Sequence, residues 1–145
     1  MHANRLLTYI LCLHLADTND CYMCMDLEGI EGRGGNEVAS CFFKVVTSGV
    51  IVKKILVLWC DNCVAQNKNR IVLMAIIYLS LELKYLVSGY SFMDCDGDCG
   101  VIEKRCKVSN RVVPKELEDI VKSARVNTTF HVLSMLADDL INFAH

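Results

Sequence analysis

The chain has 145 residues, a formal net charge of −2 and an apolar fraction of 53%. This length and composition predict one folded domain over residues 1–145 and exclude a disordered or collagen-like chain. The small negative charge excludes a general attraction to nucleic acid, so any such binding depends on local basic patches. The longest apolar run, Ile71 to Leu81, is too short to span a bilayer, so we expect no membrane partner.

Nine cysteines are a high and odd number for a chain of this length. Secreted disulfide scaffolds usually carry an even set in a shorter chain, whereas thiols in a reducing compartment are buried as small hydrophobes. We therefore interpret Cys12, Cys41 and Cys106 as core thiols. The apolar run near the N-terminus is interrupted by His14 and lacks a signal-peptide cleavage site, so we expect an intracellular protein.

The first third of the chain changes from a strand pattern to a helix pattern. Apolar and β-branched residues over 6–15 and 21–25 flank the turn-forming cluster 17–20, which predicts an antiparallel hairpin closed by Asp26. Asn36 then caps a predicted helix with Glu37 in its first turn, and Gly49 ends that helix.

The middle of the chain predicts a strand, a loop and a helix in direct succession. The apolar run Ile55 to Trp59 has the composition of a strand covered on both faces, and Asp61 follows it at once. Residues 71–83 predict a buried helix that crosses over to a parallel strand at 84–88. Because the carboxyl ends of parallel strands open onto a ligand crevice, we expect Asp61 to be presented there.

The last third of the chain is predicted to be mostly helical. We place the start of a helix at Asp96, a second helix over 114–125, a late strand over 128–135 and a terminal helix over 137–144. The main succession is β-β-α-β-α-β-α, with an antiparallel start and a parallel finish. The predicted class is therefore α/β, with a mixed sheet flanked by helices.

Three blocks of sequence carry a resemblance to a known family: residues 34–41, residues 61–70 and the segment from Ser88 to Glu103. Together they resemble a large family of transposon-derived animal proteins, and the resemblance runs from about Leu7 to about Phe143. It implies a ribonuclease-H-like fold of the DDE transposase type. Such folds open with three antiparallel strands, of which only two are predicted here, so we expect the first strand to be missing at the N-terminus.

The resemblance implies metal-dependent cleavage or strand transfer on DNA. Enzymes of this type hold two Mg²⁺ or Mn²⁺ ions between carboxylates. Asp61 and Asp96 are the implied metal ligands, and Glu37, Glu103 and Asp26 are further candidate catalytic acids. Each of these three has a structural alternative, since Glu37 suits a helix dipole, Glu103 suits a surface ion pair and Asp26 suits the end of a hairpin.

Five polar residues beside Asp61 would contact the substrate or support the metal ligands. They are Asn62, Gln66, Asn67, Lys68 and Arg70. Tyr90, however, stands where relatives typically carry a histidine that helps release the product. Since the pKa of tyrosine is about 10, it cannot shuttle a proton near neutral pH. We therefore expect little or no nuclease activity, with DNA as the ancestral partner and the nucleus as the location.

Two other interpretations stay open. Cys21, Cys24, Cys60 and Cys63 form two Cys-x-x-Cys pairs that are suitable by ligand type for a Zn²⁺ ion, although a strand sends side chains three residues apart to opposite faces. The second interpretation is a non-catalytic interaction module that keeps the fold in order to bind a protein partner.

Overall fold

The computed structural model describes residues 9–26, 34–49, 56–60, 69–79, 81–86, 92–108, 114–128 and 130–143. The elements in chain order are β1 (Tyr9–Leu15), β2 (Asp20–Asp26), α1 (Gly35–Thr47), β3 (Val57–Cys60), α2 (Arg70–Tyr78), β4 (Glu82–Tyr85), α3 (Asp94–Val108), α4 (Pro114–Ser123), β5 (His131–Ser134) and a 3-10 helix (Ala137–Asp139). The predicted mixed α/β class is confirmed.

The contacts of the chain divide it into two compact units. Unit 1 is formed by Met1–Ile30 with Phe92–Met135, and unit 2 is formed by Glu31–Ser91 with Leu136–His145. Each unit contains one sheet. The sheet of unit 1 has the strand order β1-β2-β5, and the sheet of unit 2 pairs β3 with β4.

Unit 1 is built on the predicted hairpin. β1 and β2 pair antiparallel, with Cys12 opposite Met23 and His14 opposite Cys21, and β5 adds to the other edge of β2 in parallel. The hairpin is confirmed, and the tight turn needs Asn19 in the left-handed region at φ 61°. The late strand at 128–135 is also confirmed as β5, although its pairing with β2 was not predicted.

One face of this sheet forms the core of unit 1. Cys21, Met23 and Met25 alternate along β2 and are fully or almost fully buried. They pack with buried side chains from α3, from the end of α4 and from the approach to β5, which are Ile102, Val121, Ala124 and Phe130. β2 is the central strand and is paired on both edges. Because side chains alternate between the two faces of a strand, Cys21 is on the face that packs against the helices.

Unit 2 contains the predicted strand, helix and parallel strand. β3 and β4 pair in parallel with Val57 opposite Glu82, and α2 connects them. Asn69 caps α2 through its side chain, which accepts the backbone N–H of Val72 at 3.0 Å. α1 packs on α2, and the rings of Phe43 and Tyr78 lie 5.9 Å apart.

Two expectations for the unit 2 helices were wrong. The helix predicted over 71–83 ends at Tyr78, and β4 begins at Glu82, two residues earlier than predicted. The predicted burial of α2 on all sides is also wrong, because only the face carrying Val72, Ala75 and Ile76 is buried, whereas Ile77 is 67% exposed. The apolar residues that follow Tyr78 lead into β4, which pairs with β3, and do not form another helical turn.

The terminal helix predicted over 137–144 was wrong as well. Only Ala137–Asp139 form a short 3-10 helix. Beyond it, the backbone N–H groups are bound by side chains of α1: Ile141 donates to Ser40 Oγ at 2.9 Å and Phe143 donates to Asn36 Oδ1 at 3.2 Å. Side-chain acceptors therefore replace the carbonyl acceptors that a continued helix would use.

Candidate functional site

The strongest sequence candidate follows the last residue of β3. Cys60 ends that strand and is buried, and its neighbour β4 runs parallel to it. Asp61 is thus the first residue after the carboxyl end of a parallel strand. Its own placement falls outside the described residues, as do four of the five predicted supporting residues, Asn62, Gln66, Asn67 and Lys68, and also Cys63.

Glu37 lies in the first turn of α1 and binds the end of its own helix. The backbone N–H of Gly34 donates to Glu37 Oε2 at 2.9 Å. Gly34 is the N-cap and has no side chain, so only the glutamate half of a capping box exists. The structural alternative considered for Glu37 is the contact observed.

Asp96 uses its carboxylate in the same way at the start of α3. The backbone N–H of Met93 donates to Asp96 Oδ2 at 2.8 Å, and Asp96 is exposed. Glu103 is exposed on the same helix, seven residues further on. A helix rises about 1.5 Å per residue, which separates the two positions by roughly 10 Å along the axis. The two acids therefore lie about two helical turns apart on α3.

The two remaining polar candidates occupy the ends of elements. Asp26 is the last residue of β2 and pairs with Tyr9 in the register of the hairpin. Arg70 is the first residue of α2 and is exposed. Arg70 is therefore available to a ligand, but the described residues place no second candidate beside it.

Sequence reasoning missed a group of four sulfur atoms in unit 1. We call Cys12 on β1, Cys21 on β2, and Cys95 and Cys99 on α3 the thiol cluster. Cys12 Sγ lies 3.1 Å from Cys21 Sγ. Cys95 Sγ donates to the carbonyl of Cys12 at 3.7 Å, and Cys99 lies one helical turn further along α3.

The secondary structure explains why these thiols meet. Cys21 lies two residues from Met23, the partner of Cys12, so the two cysteines are diagonal neighbours on one face of the hairpin. Cys95 and Cys99 are four residues apart in α3 and lie on one face of that helix. α3 packs against β1. One helix face and one sheet face thus bring the four side chains together.

A buried carboxylate lies beside the thiol cluster. Asp98 is 7% exposed, and one of its carboxylate oxygens lies within 4.8 Å of the sulfur atoms of Cys12 and Cys21. Asp98 Oδ2 is 2.7 Å from His14 Nδ1, and Asp98 Oδ1 is 3.8 Å from Arg125 Nη1. The carboxylate is therefore held between a ring nitrogen and a guanidinium group.

The thiols shift each other's acidity in opposite directions. Hydrogen bonds from Cys21, Cys95 and Cys99, together with burial, raise the pKa of the Cys12 thiol. Its hydrogen bond with Cys12 lowers the pKa of Cys95 to about 7, and the same partner lowers the pKa of Cys99. The thiols of Cys95 and Cys99 on α3 are therefore more acidic than the thiol of Cys12 on β1. Thiolates are the form of cysteine that binds soft metal ions.

The cysteine set predicted from the two Cys-x-x-Cys pairs receives no support. Cys21 and Cys24 are both buried, but they are three residues apart on β2 and face opposite sides of its sheet. Cys21 lies with Cys12 instead. Cys12 and Cys106 pack against the hydrophobic core of unit 1 and Cys41 is buried, so the interpretation of these three residues as core thiols is confirmed. The signal for the thiol cluster in the sequence was the Cys95-x-x-x-Cys99 spacing within a helix, combined with cysteines on one face of the hairpin.

No helix among the described residues is long and apolar enough to cross a membrane. A comparison with family models matches residues 2–142 to a domain of unknown function, DUF7869. Comparisons with curated proteins and with solved structures gave no match. Because the family model covers almost the whole chain, the chain belongs to the DUF7869 family.

Proposed function

We propose that this chain is a transposase-derived, ribonuclease-H-like domain that acts as a non-catalytic module and has little or no nuclease activity. Two features support the fold assignment. The chain opens with an antiparallel hairpin, and it contains a parallel β3-α2-β4 unit whose first strand ends directly before Asp61. The carboxyl ends of such strands are where α/β folds bind ligands.

The proposal that the chain does not cleave DNA depends on the hydrogen bonds that the candidate acids already make. The carboxylates of Glu37 and Asp96 each accept a backbone N–H at the start of their own helix. Two-ion cleavage needs carboxylates that converge on ions about 4 Å apart. Within α3, Asp96 and Glu103 are too far apart to meet that requirement.

The ligands present do not fit the ions that the resemblance implies. Mg²⁺ and Mn²⁺ require mainly oxygen ligands, and Mg²⁺ demands nearly octahedral geometry. Among the described residues, the one group of three potential ligands in close proximity is Cys12, Cys21 and Asp98, which contributes two sulfurs and one oxygen. We therefore derive no step of phosphodiester chemistry through such an ion.

DNA is the partner that the proposed origin implies, and it would place the protein in the nucleus. Among the described residues, exposed basic side chains include Arg70 at the start of α2 and Lys104, Arg105 and Lys107 in the second half of α3. Because the net charge is −2, we expect any DNA binding to be weak and strongly reduced by salt.

A cleavage assay tests the proposal. The full chain, in excess over supercoiled plasmid and over short duplexes, is incubated with Mg²⁺ or Mn²⁺ beside the Asp61→Asn and Asp96→Asn variants. We expect the same background nicking from all three proteins. Metal-dependent cleavage by the original chain that either variant abolishes would overturn the proposal, because it would show that the acids act together as a catalytic site.

A further inference from the structure

Two thiols and one buried carboxylate meet at a single point in unit 1. Cys12 Sγ, Cys21 Sγ and a carboxylate oxygen of Asp98 all lie within 4.8 Å of one another. They come from three elements, which are β1, β2 and α3. Both cysteines are free thiols, and Cys21 and Asp98 are buried. None of the candidate acids for DNA cleavage belongs to this group, so it is independent of the proposed function.

We propose that Cys12, Cys21 and Asp98 bind one Zn²⁺ ion, with a water molecule in the fourth tetrahedral position. Zinc accepts both thiolate and carboxylate ligands, and three protein ligands with one water is an arrangement that it adopts in proteins. Thiolates disfavour Mg²⁺ and Ca²⁺, which prefer oxygen ligands. Within unit 1 the ion would join both strands of the hairpin to α3.

The distances between the three groups are close to those of a zinc site. With Zn–S bonds of about 2.3 Å and a Zn–O bond of about 2.0 Å, a tetrahedral ion holds two sulfurs about 3.8 Å apart and each sulfur about 3.5 Å from the oxygen. Cys12 Sγ and Cys21 Sγ are 3.1 Å apart, so they would separate by less than about 1 Å. The carboxylate oxygen lies within 4.8 Å of both sulfurs and would approach by about 1.3 Å or less.

Two basic side chains hold the carboxylate of Asp98. His14 Nδ1 is 2.7 Å from Asp98 Oδ2, and Arg125 Nη1 is 3.8 Å from Asp98 Oδ1. Arg125 is itself fixed, because it donates to the backbone carbonyl of Asn19 at 3.2 Å and to Asn19 Oδ1 at 3.1 Å. Groups that bind a metal-ligating carboxylate from outside orient it and tune its basicity. His14 and Arg125 are therefore positioning residues for this site.

The charges of the group balance when the ion is present. Two thiolates and the Asp98 carboxylate carry three negative charges, whereas Zn²⁺ and Arg125 carry three positive charges, with His14 counted as neutral. Buried charges in proteins are usually paired with each other or bound to a metal ion. The alternative is that Asp98 only forms a buried ion pair with Arg125, in which case the two thiols bind no metal.

The experiment measures zinc in the full chain, expressed with zinc in the medium and purified under reducing conditions. Native mass spectrometry and elemental analysis give the zinc content. X-ray absorption spectroscopy at the zinc edge counts the sulfur ligands and the lighter ligands in the unmodified chain. We expect one equivalent of zinc, bound by two sulfurs at about 2.3 Å and by two oxygen or nitrogen atoms at about 2.0 Å.

Variants assign the ligands, with competition against a chelator as the measure of zinc affinity. Cys21→Ser and Asp98→Asn should each lower the affinity at least tenfold. Cys99→Ser on α3 and Cys24→Ser on β2 are the matched controls, and both should keep the original affinity and the two sulfur ligands. His14→Gln should lower the affinity roughly ten- to hundredfold without changing the ligand count. Circular dichroism verifies folding, and the ligand count of the unmodified chain decides the case where a variant does not fold.

Several results would overturn the proposal. One is that the folded, reduced chain binds no zinc, which would leave Asp98 in a buried ion pair. Another is a count of three or four sulfur ligands in the unmodified chain. Equal loss of zinc from Cys24→Ser and Cys21→Ser would place the metal elsewhere, and an unchanged affinity in folded Asp98→Asn would remove the carboxylate from the site. None of these results depends on whether the chain cleaves DNA.

Discussion

Replacing Glu37 distinguishes a helix-capping carboxylate from a catalytic one. Glu37 Oε2 accepts the backbone N–H of Gly34 at 2.9 Å in the first turn of α1. N-terminal capping interactions contribute about 0.5–2 kcal/mol, and the half-exposed position of Glu37 puts its contribution near the middle of that range. We predict that Glu37→Ala lowers the free energy of unfolding by about 1 kcal/mol.

Glu37→Gln separates the hydrogen bond from the charge. The amide oxygen still accepts the N–H of Gly34, whereas the favourable interaction of a negative charge with the helix N-terminus, worth about 0.3–1 kcal/mol, is lost. We therefore expect Glu37→Gln to lose about half as much stability as Glu37→Ala. Urea unfolding at pH 7 followed by circular dichroism measures both, with unchanged dependence on urea.

Glu103→Ala is the control for this pair, because Glu103 is an exposed acid on another helix and was a candidate for the same catalysis. Exposed substitutions of this kind change stability by less than about 0.5 kcal/mol. The reasoning is refuted if Glu37→Ala costs no more than Glu103→Ala. It is also refuted if Mn²⁺ stabilises the original chain but not the Glu37 variants, since that would mark Glu37 as a metal ligand.

Two further predictions concern close contacts of Gly35 and Lys44 in unit 2, with Gly97 of unit 1 as the control for Gly35. A Cβ atom at Gly35 would lie 2.6 Å from Asn69 Oδ1, the cap of α2, whereas a Cβ at Gly97 would meet no atom within 4 Å. We predict that Gly35→Ala destabilises the chain by about 1 kcal/mol and that Gly97→Ala stabilises it by up to about 1 kcal/mol. Lys44 lies 2.6 Å from Asp139 and lowers the pKa of that carboxyl, so this pair contributes up to about 1 kcal/mol near pH 7, which is lost as the pH falls below about 5.

The same unfolding measurements check these predictions. Equal signs for the two glycine variants would contradict the contact with Asn69. For the ion pair, the folded pKa of Asp139 lies below its unfolded value, so the folded state holds its proton less tightly and the stabilisation is complete only above the unfolded pKa. Asp139→Asn should therefore lose stability at pH 7 and show a shallower decline in acid. An unchanged acid profile would contradict this assignment.

Local patterns in the sequence were enough to predict the elements that depend mainly on neighbouring residues. The hairpin followed from alternating apolar residues around the turn at Asp17–Asp20, and α1 followed from Glu37 and the apolar spacing after it. The predicted cap was wrong, because the N-cap is Gly34 and Asn36 lies within α1, where its side chain accepts the N–H of Phe143. Gly49 ended the helix region as predicted, with φ 76° in the conformation that favours glycine.

The elements that were predicted wrongly depend on contacts between residues that are far apart in the sequence. A continuous apolar run gives no sign of where a helix ends and a strand begins, so α2 was predicted five residues too long. The terminal helix failed because Ser40 binds the N–H of Ile141, 101 residues away in sequence. No local pattern around Ile141 contains that information.

The thiol cluster needed tertiary information of the same kind. The four-residue spacing of Cys95 and Cys99 was visible, and so was the hairpin that carries Cys12 and Cys21. What the sequence did not provide was the packing of α3 on β1, which decides that these pairs meet. The more conspicuous Cys-x-x-Cys spacing of Cys21 and Cys24 matched a zinc motif but conflicted with strand alternation.

The binding of Mn²⁺ tests most directly whether the acids form a catalytic metal site, since it needs no knowledge of a DNA target. The chain is titrated with Mn²⁺, and electron paramagnetic resonance measures the free hydrated ion. The account predicts the same free-ion signal for the original chain and for an Asp61→Asn, Asp96→Asn double variant. Loss of the signal in the original chain, restored in the double variant, would show that the acids hold a metal ion together and would contradict the non-catalytic assignment.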